Sequence, residues 1–127
     1  EIKMVEETRK ILGLPELKVT ATCVRVPVRM GHAVSVNVEL ENPFELSDVI
    51  KAFEEKEGVV VKDDVKNNVY PMPIEAADTD EVYVGRIRRD ESVENGLNLW
   101  VVADNIRKGA ATNTVQIAET LIRNGII

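Results

Sequence analysis

A chain of 127 residues with 44% hydrophobic and 30% charged side chains has the make-up of one globular domain, which size scaling expects to bury roughly two-thirds of its unfolded surface. Sixteen basic against 22 acidic residues leave a net charge of -6, which disfavours a broad nonspecific nucleic-acid footprint, and no apolar run approaches the ~20 residues of a membrane span. One cysteine and one histidine make neither an internal disulfide nor a conventional N/S zinc site, so the expectation is a metal-free protein of a reducing, cytoplasmic compartment.

Met4, Val5, Thr8, Ile11 and Leu12 recur at helical spacing, with Gly13 where a left-handed cap would sit and Pro15 just beyond. No capping residue precedes this register, which predicts a portion of a longer polypeptide. From Lys18 the period changes to two. Val24, Val26 and Val28 alternate with Cys23, Arg25 and Pro27, and after a break at Met30-Gly31-His32 a second alternation runs from Val34 to Leu40. Two strands joined by a short loop are predicted, with His32 in the loop.

Ser47 is the expected cap of a second helix, stapled by Leu46 and running through Val49, Ile50 and Phe53 to Gly58. VVVK at 59–62 reads as a short strand, and the polar stretch 63–81, with prolines at 71 and 73, as an extended surface loop. Two more strands, EVYVGRIRR and LNLWVVA, flank an Asn95-Gly96 turn signal. A last helix is predicted from about Ala110 to Asn124, burying Val115, Ala118, Leu121 and Ile122 and closed by Gly125. The fold class is therefore α+β: a largely antiparallel, mixed sheet with helices packed on one face and the other face free to pair.

Four features carry chemistry. Cys23 shares a strand face with Arg25, where positive charge would favour a thiolate, but a mid-strand cysteine is more often a small buried hydrophobe. His32 is either a surface imidazole or a proton carrier suited to neutral pH. Arg25, among valines, needs either a carboxylate of this chain or an anionic ligand held in a bidentate fork; Arg29 has the weaker claim. Gly109, Ala110 and Ala111 open the last helix with little side-chain bulk, which serves a cofactor amide or simple close packing. RIRR at 86–89 is the only dense basic run.

The segments CVRVPVRMGHAVSV, YVGRIRRD and WVVADNIRKGAATNTVQIAE, in this order and over nearly the whole chain, closely resemble the C-terminal part of bacterial aspartate-semialdehyde dehydrogenases. The resemblance implies a catalytic and dimerisation domain over residues 1–127, like the C-terminal domain of the glyceraldehyde-3-phosphate dehydrogenase-like group, with an N-terminal dinucleotide-binding domain outside this chain. The implied reaction is NADPH-dependent reduction of L-aspartyl 4-phosphate to aspartate semialdehyde and phosphate, on the route to lysine, methionine and threonine. It implies a homodimer or dimer of dimers, with no nucleic-acid or membrane partner. The family's nucleophilic cysteine belongs to an Asn-Cys motif absent here, so Cys23 is not that residue.

By the same resemblance His32 falls on the acid/base histidine, Arg25 on the arginine that grips the substrate's α-carboxylate, and Lys3 on the phosphate-binding lysine. Asn105 matches the position that hydrogen-bonds the nicotinamide carboxamide, and Gly109 opens the helix behind it. Ala33 stands where a serine often follows the histidine. The related N-acetyl-glutamyl-phosphate reductases share chemistry and architecture, but RVPVRMGH and DNIRKGAA argue against them. A dehydrogenase-like protein without its nucleophile, serving only binding or assembly, is the alternative from another class.

Overall fold

A computed structural model describes residues 1–127. Helix α1 spans Ile2–Leu12 and ends at Gly13, where φ of 67° turns the N–H groups of Gly13 and Leu14 back onto the carbonyls of Lys10 and Arg9. The strand expected over residues 23–28 does not form. The segment is extended, but Val24 and Val26 are exposed and no neighbour completes a ladder. Alternation specifies an extended backbone; a strand also needs a partner for its N–H and C=O groups.

The second expected strand is β1, His32–Glu39, so His32 is a strand residue and not part of the loop. β1 pairs antiparallel with β4 (Gly96–Ala103), β4 antiparallel with β3 (Val82–Asp90), and β3 parallel with β2 (Val59–Val61), giving the order β1-β4-β3-β2. The largely antiparallel, mixed sheet of an α+β fold is therefore present. Helix α2, Leu46–Glu54, lays Leu46, Val49, Ile50 and Phe53 on the buried centre formed by Val84, Ile87 and Leu97. Their i, i+3, i+4, i+7 spacing makes the apolar stripe that seats the helix. Glu45, not Ser47, is its N-cap, and Leu46 lies inside the helix where a staple was expected before it.

The β3–β4 hairpin turns through residues 91–95 and not through a two-residue Asn95-Gly96 turn. Gly96 is already in β4, and a Cβ there would lie 2.5 Å from Val93 Cγ2 and 2.6 Å from Asp90 Cβ, so its glycine answers to close approach. In β3 the register shifts between Gly85 and Arg88, with Arg86 at φ 55°. The Asp63 carboxylate accepts the Ile87 N–H at 2.7 Å beside this bulge. RIRR is thereby split: Arg89 stacks 4.3 Å from the Phe44 ring centroid, while Arg86 lies 6.0 Å from that of Tyr70.

The stretch 63–81 is more than a surface loop. It contains the one-turn helix α3, Pro73–Ala76, and both Pro71 and Ala76 are buried. The Trp100 indole donates to the Pro71 carbonyl at 2.9 Å, tying the segment to the sheet. A single helical turn has too few residues to show a period.

After β4 the chain forms a π-helix, Arg107–Ala111, that runs into α4, Thr112–Arg123, and Gly125 closes it at φ 65°. The burial expected along this helix is not found: Val115 and Ile122 are 57% and 63% exposed, Ala118 is exposed and Leu121 only half-buried. The chain exposes 9836 Å², against roughly 6,700 Å² for a compact monomer of its mass, and so buries about half, not two-thirds, of its unfolded surface. Part of the exposed surface is apolar: Val24, Val26, Val115, Ile117 and Ile122 are all more than half exposed.

Candidate functional site

The antiparallel register sets His32 at the start of β1 opposite Ala103 at the end of β4, so the imidazole and the loop that leaves β4 meet at one edge of the sheet. Together His32, Val34, Val101 and Ala103 from the strands and Asp104, Asn105, Lys108 and Gly109 from the loop line an open cavity of about 310 Å³. Three of the five residues singled out from the sequence, His32, Asn105 and Gly109, are thus brought together. Gly31 fixes the approach: its φ is 87°, and a Cβ would meet the Cβ and carbonyl oxygen of Pro73 at 3.1 Å. Gly31→Ala is expected to cost about 1–2 kcal/mol, read as a fall in the urea midpoint at unchanged m-value.

Two carboxylates hold the loop. Asp104 is fully buried. Its Oδ1 accepts the N–H groups of Ile106 at 2.8 Å and Arg107 at 3.0 Å, and its Oδ2 accepts that of Asp78 at 2.9 Å. The backbone N–H of Arg107, then that of Asp78, holds this carboxyl below its ordinary range against the opposing pull of desolvation. Asp80 receives a two-pronged contact from Arg107, Nε to Oδ1 at 2.7 Å and Nη2 to Oδ2 at 2.8 Å, and the Thr112 hydroxyl at 2.7 Å. These side-chain bonds, Arg107 first and Thr112 second, lower the Asp80 pKa to about 2.

The Asp80 shift carries a sign. The folded pKa lies below the unfolded value near 3.9, so the stabilisation is complete above about pH 4 and is lost as pH falls to about 2. Asp80→Asn should therefore flatten the drop in thermal midpoint between pH 5 and pH 2. A drop as steep as that of the unsubstituted chain would contradict this assignment.

Arg25 and Lys3 are placed elsewhere. Neither lines the His32 cavity. Lys3 is 82% exposed and pairs with Glu7 at 3.5 Å along α1, and Arg25 is exposed in the unpaired extended segment. These two regions nevertheless lie side by side, because the Cys23 N–H donates to Glu1 Oε1 at 3.0 Å and the thiol contacts Met4 Sδ at 3.4 Å. Cys23 is exposed, contrary to the buried reading, and is no part of the cavity wall around His32.

Sequence reasoning missed Asp104, Lys108 and the Asp80–Arg107 pair. An Asp directly after an apolar strand is the signature of a side chain that caps the following turn, and Asp104-Asn105 carries it. The Asp80–Arg107 fork spans 27 residues and leaves no local signal.

The arrangement can hold a flat amide-bearing group. A cavity of this size sits at the low end of ligand pockets and has room for one small ring, not for a whole dinucleotide. Asn105 is exposed on its wall, with a carboxamide able to donate and accept. A Cβ on Gly109 would meet only Asn105 Cβ, at 3.7 Å, so packing within the chain does not demand the glycine, which lines the cavity. His32 stands across it with a ring that can accept or donate a proton. No three His, Cys, Asp or Glu side chains gather as a metal-ligand set, and no helix is long and apolar enough to cross a membrane.

Known proteins share both the sequence and the fold. The chain is 54% identical over its whole length to an aspartate-semialdehyde dehydrogenase of Aquifex aeolicus, and 45% identical to that of Bacillus subtilis, in each case spanning 37% of the relative. Among solved structures, aspartate semialdehyde dehydrogenase II of Vibrio cholerae, complexed with ASA, superposes with a TM-score of 0.89 at 48% identity, over 97% of this chain and 36% of that one. The Candida albicans aspartate semialdehyde dehydrogenase, solved with NADP, gives 0.71 at 29% identity, over 90% of this chain and 36% of that one. The sequence model described as semialdehyde dehydrogenase, dimerisation domain, matches residues 1–108, and the chain belongs to that family.

Proposed function

We propose that residues 1–127 are the catalytic and dimerisation domain of an NADP-dependent aspartate-semialdehyde dehydrogenase of the cytoplasm, acting on the route to lysine, methionine and threonine. The enzyme reduces L-aspartyl 4-phosphate to L-aspartate 4-semialdehyde and phosphate. The observation that carries this reading is the gathering of His32, Asn105 and Gly109 around one cavity. That the chain spans 37% of its relatives supports a dinucleotide-binding half, with the nucleophilic cysteine, in another portion of polypeptide.

In this reading His32 takes the proton of that cysteine's thiol, and the thiolate attacks the acyl phosphate. The C–O bond to phosphate breaks, and the Lys3 ammonium offsets the charge that leaves. Arg25 grips the α-carboxylate, which turns the attack into an oriented, effectively intramolecular step. When bound, the nicotinamide supplies hydride; Asn105 orients its amide, and His32 returns its proton to the departing thiolate.

A second copy is the proposed partner of the sheet face that carries Ser35, Asn37, Asn98 and Trp100, opposite α2. An Asn37 amide that bonds Asp90 at 2.6 Å and Asn98 at 3.0 Å gives that face a preordered polar ladder. The excess surface of roughly 3,000 Å² exceeds the ~800 Å² that each partner gives to a standard interface.

The test joins this chain to its dinucleotide-binding half and assays NADP reduction with each semialdehyde in the presence of phosphate. Turnover of L-aspartate 4-semialdehyde, none of the N-acetyl-glutamate analogue, and none by the 127-residue chain alone are expected. Preference for the N-acetyl compound assigns the related reductase, and absence of turnover with both assigns a binding or assembly module.

A further inference from the structure

We infer that Asp104 is a positioning residue for the cofactor side of the His32 cavity, with Asp80 as its second anchor through Arg107. The inference rests on the dehydrogenase reading above and extends it to residues that touch neither substrate nor cofactor there.

Four of the loop's residues line the cavity: the fully buried Asp104 and, more accessible, Asn105, Lys108 and Gly109. Asn105 stands just before, and Lys108 and Gly109 within, a π-helix, a rare turn that local propensity alone seldom forms. Asp104 grips its first turn from inside. Oδ1 takes the two N–H groups that open the turn, those of Ile106 and Arg107, and Oδ2 takes the Asp78 N–H, tying the turn to the segment before β3. A fully buried carboxylate with three N–H donors spends its acceptor capacity on backbone, which suits holding a shape and not binding a ligand. On the outer side the Arg107 guanidinium clamps onto Asp80, and the Thr112 hydroxyl fixes the entry to α4 on the same carboxylate. Removing the inner grip frees the Asn105 carboxamide to swing from the orientation the nicotinamide requires, and an error of about 1 Å in such a contact costs up to a hundredfold in rate.

Two substitutions separate positioning from bulk stability. In Asp104→Asn the side-chain oxygen still accepts the Ile106 and Arg107 N–H groups, while its amide faces the Asp78 N–H donor to donor. In Asp104→Ala all three bonds are lost. In the polypeptide that carries both halves, Asp104→Ala is expected to raise KM for NADPH about tenfold, with the same rise in Kd by NADPH fluorescence, and to leave the pH profile of kcat in place. Asp104→Asn should lose thermal stability but keep KM within about twofold of the unsubstituted enzyme. Hydrogen exchange in the absence of nucleotide should show faster Ile106 and Arg107 amides in the alanine variant alone.

An unchanged NADPH affinity in Asp104→Ala, or an equal rise in Asp104→Asn, overturns the inference. If the alanine variant does not fold, Asp80→Asn carries the test at the outer anchor, with a rise of about threefold expected and an unchanged affinity contradicting it. The fluorescence titration needs no turnover, so failure of the dehydrogenase reading and failure of this inference give different results.

Discussion

His32→Ala, in the polypeptide that carries both halves, is expected to lower kcat by about a hundredfold or more while leaving KM for the semialdehyde within a few-fold. The magnitude is that of general acid–base assistance. The split between kcat and KM follows from position. His32 lines the cavity from the first residue of β1, where it is exposed, as the proposed proton exchange with a thiol from outside the chain requires. It does not need to carry the substrate's charge. In a steady-state pH series the limb due to this imidazole should vanish from the kcat profile of the variant. If the limb persists, the proton travels through another group, and His32 is only a wall of the cavity.

Arg25→Ala is expected to act in the opposite coordinate, raising KM for the amino-acid substrate about a hundredfold with a smaller effect on kcat, and Arg25→Lys about tenfold. A guanidinium offers two parallel N–H donors to a carboxylate, and an ammonium offers a point charge that cannot reproduce the fork. Uniform binding removed from ground and transition states appears in KM. Arg25 lies outside the His32 cavity, on an extended segment whose flanking valines are exposed. The role proposed for it therefore requires that this segment fold against the site when substrate and the other half of the enzyme are present. An unchanged KM in both variants would remove Arg25 from the pocket.

The sheet was legible because its strands repeat. Val34, Val36 and Val38 alternate with polar neighbours, while the β3 and β4 runs are rich in apolar and β-branched residues between turn signals, so the strands were legible and their pairing was not. The same alternation misled at Val24, Val26 and Val28, where the chain is extended without a partner. A helical period likewise located α4 but not its surroundings: an amphipathic stripe states that an apolar face exists, not that this chain supplies its cover.

The site shows the same division. His32 and Gly109 were singled out from the residues themselves and Asn105 through resemblance, and the β1–β4 register shows why residues so distant in sequence share a wall. Asp104 and Asp80 went unread for a physical reason. Their work is done by bonds to backbone N–H groups and to a guanidinium 27 residues away, which no spacing rule records.

The most direct measurement is a crystal structure of the assembled enzyme with L-aspartate 4-semialdehyde bound. The expected result places the substrate α-carboxylate in a two-pronged contact with Arg25 and its reacting carbon beside the cavity, with the His32 ring within about 3 Å of the group that exchanges the proton. A carboxylate held by another cation, with His32 turned away from the reacting carbon, would contradict the account.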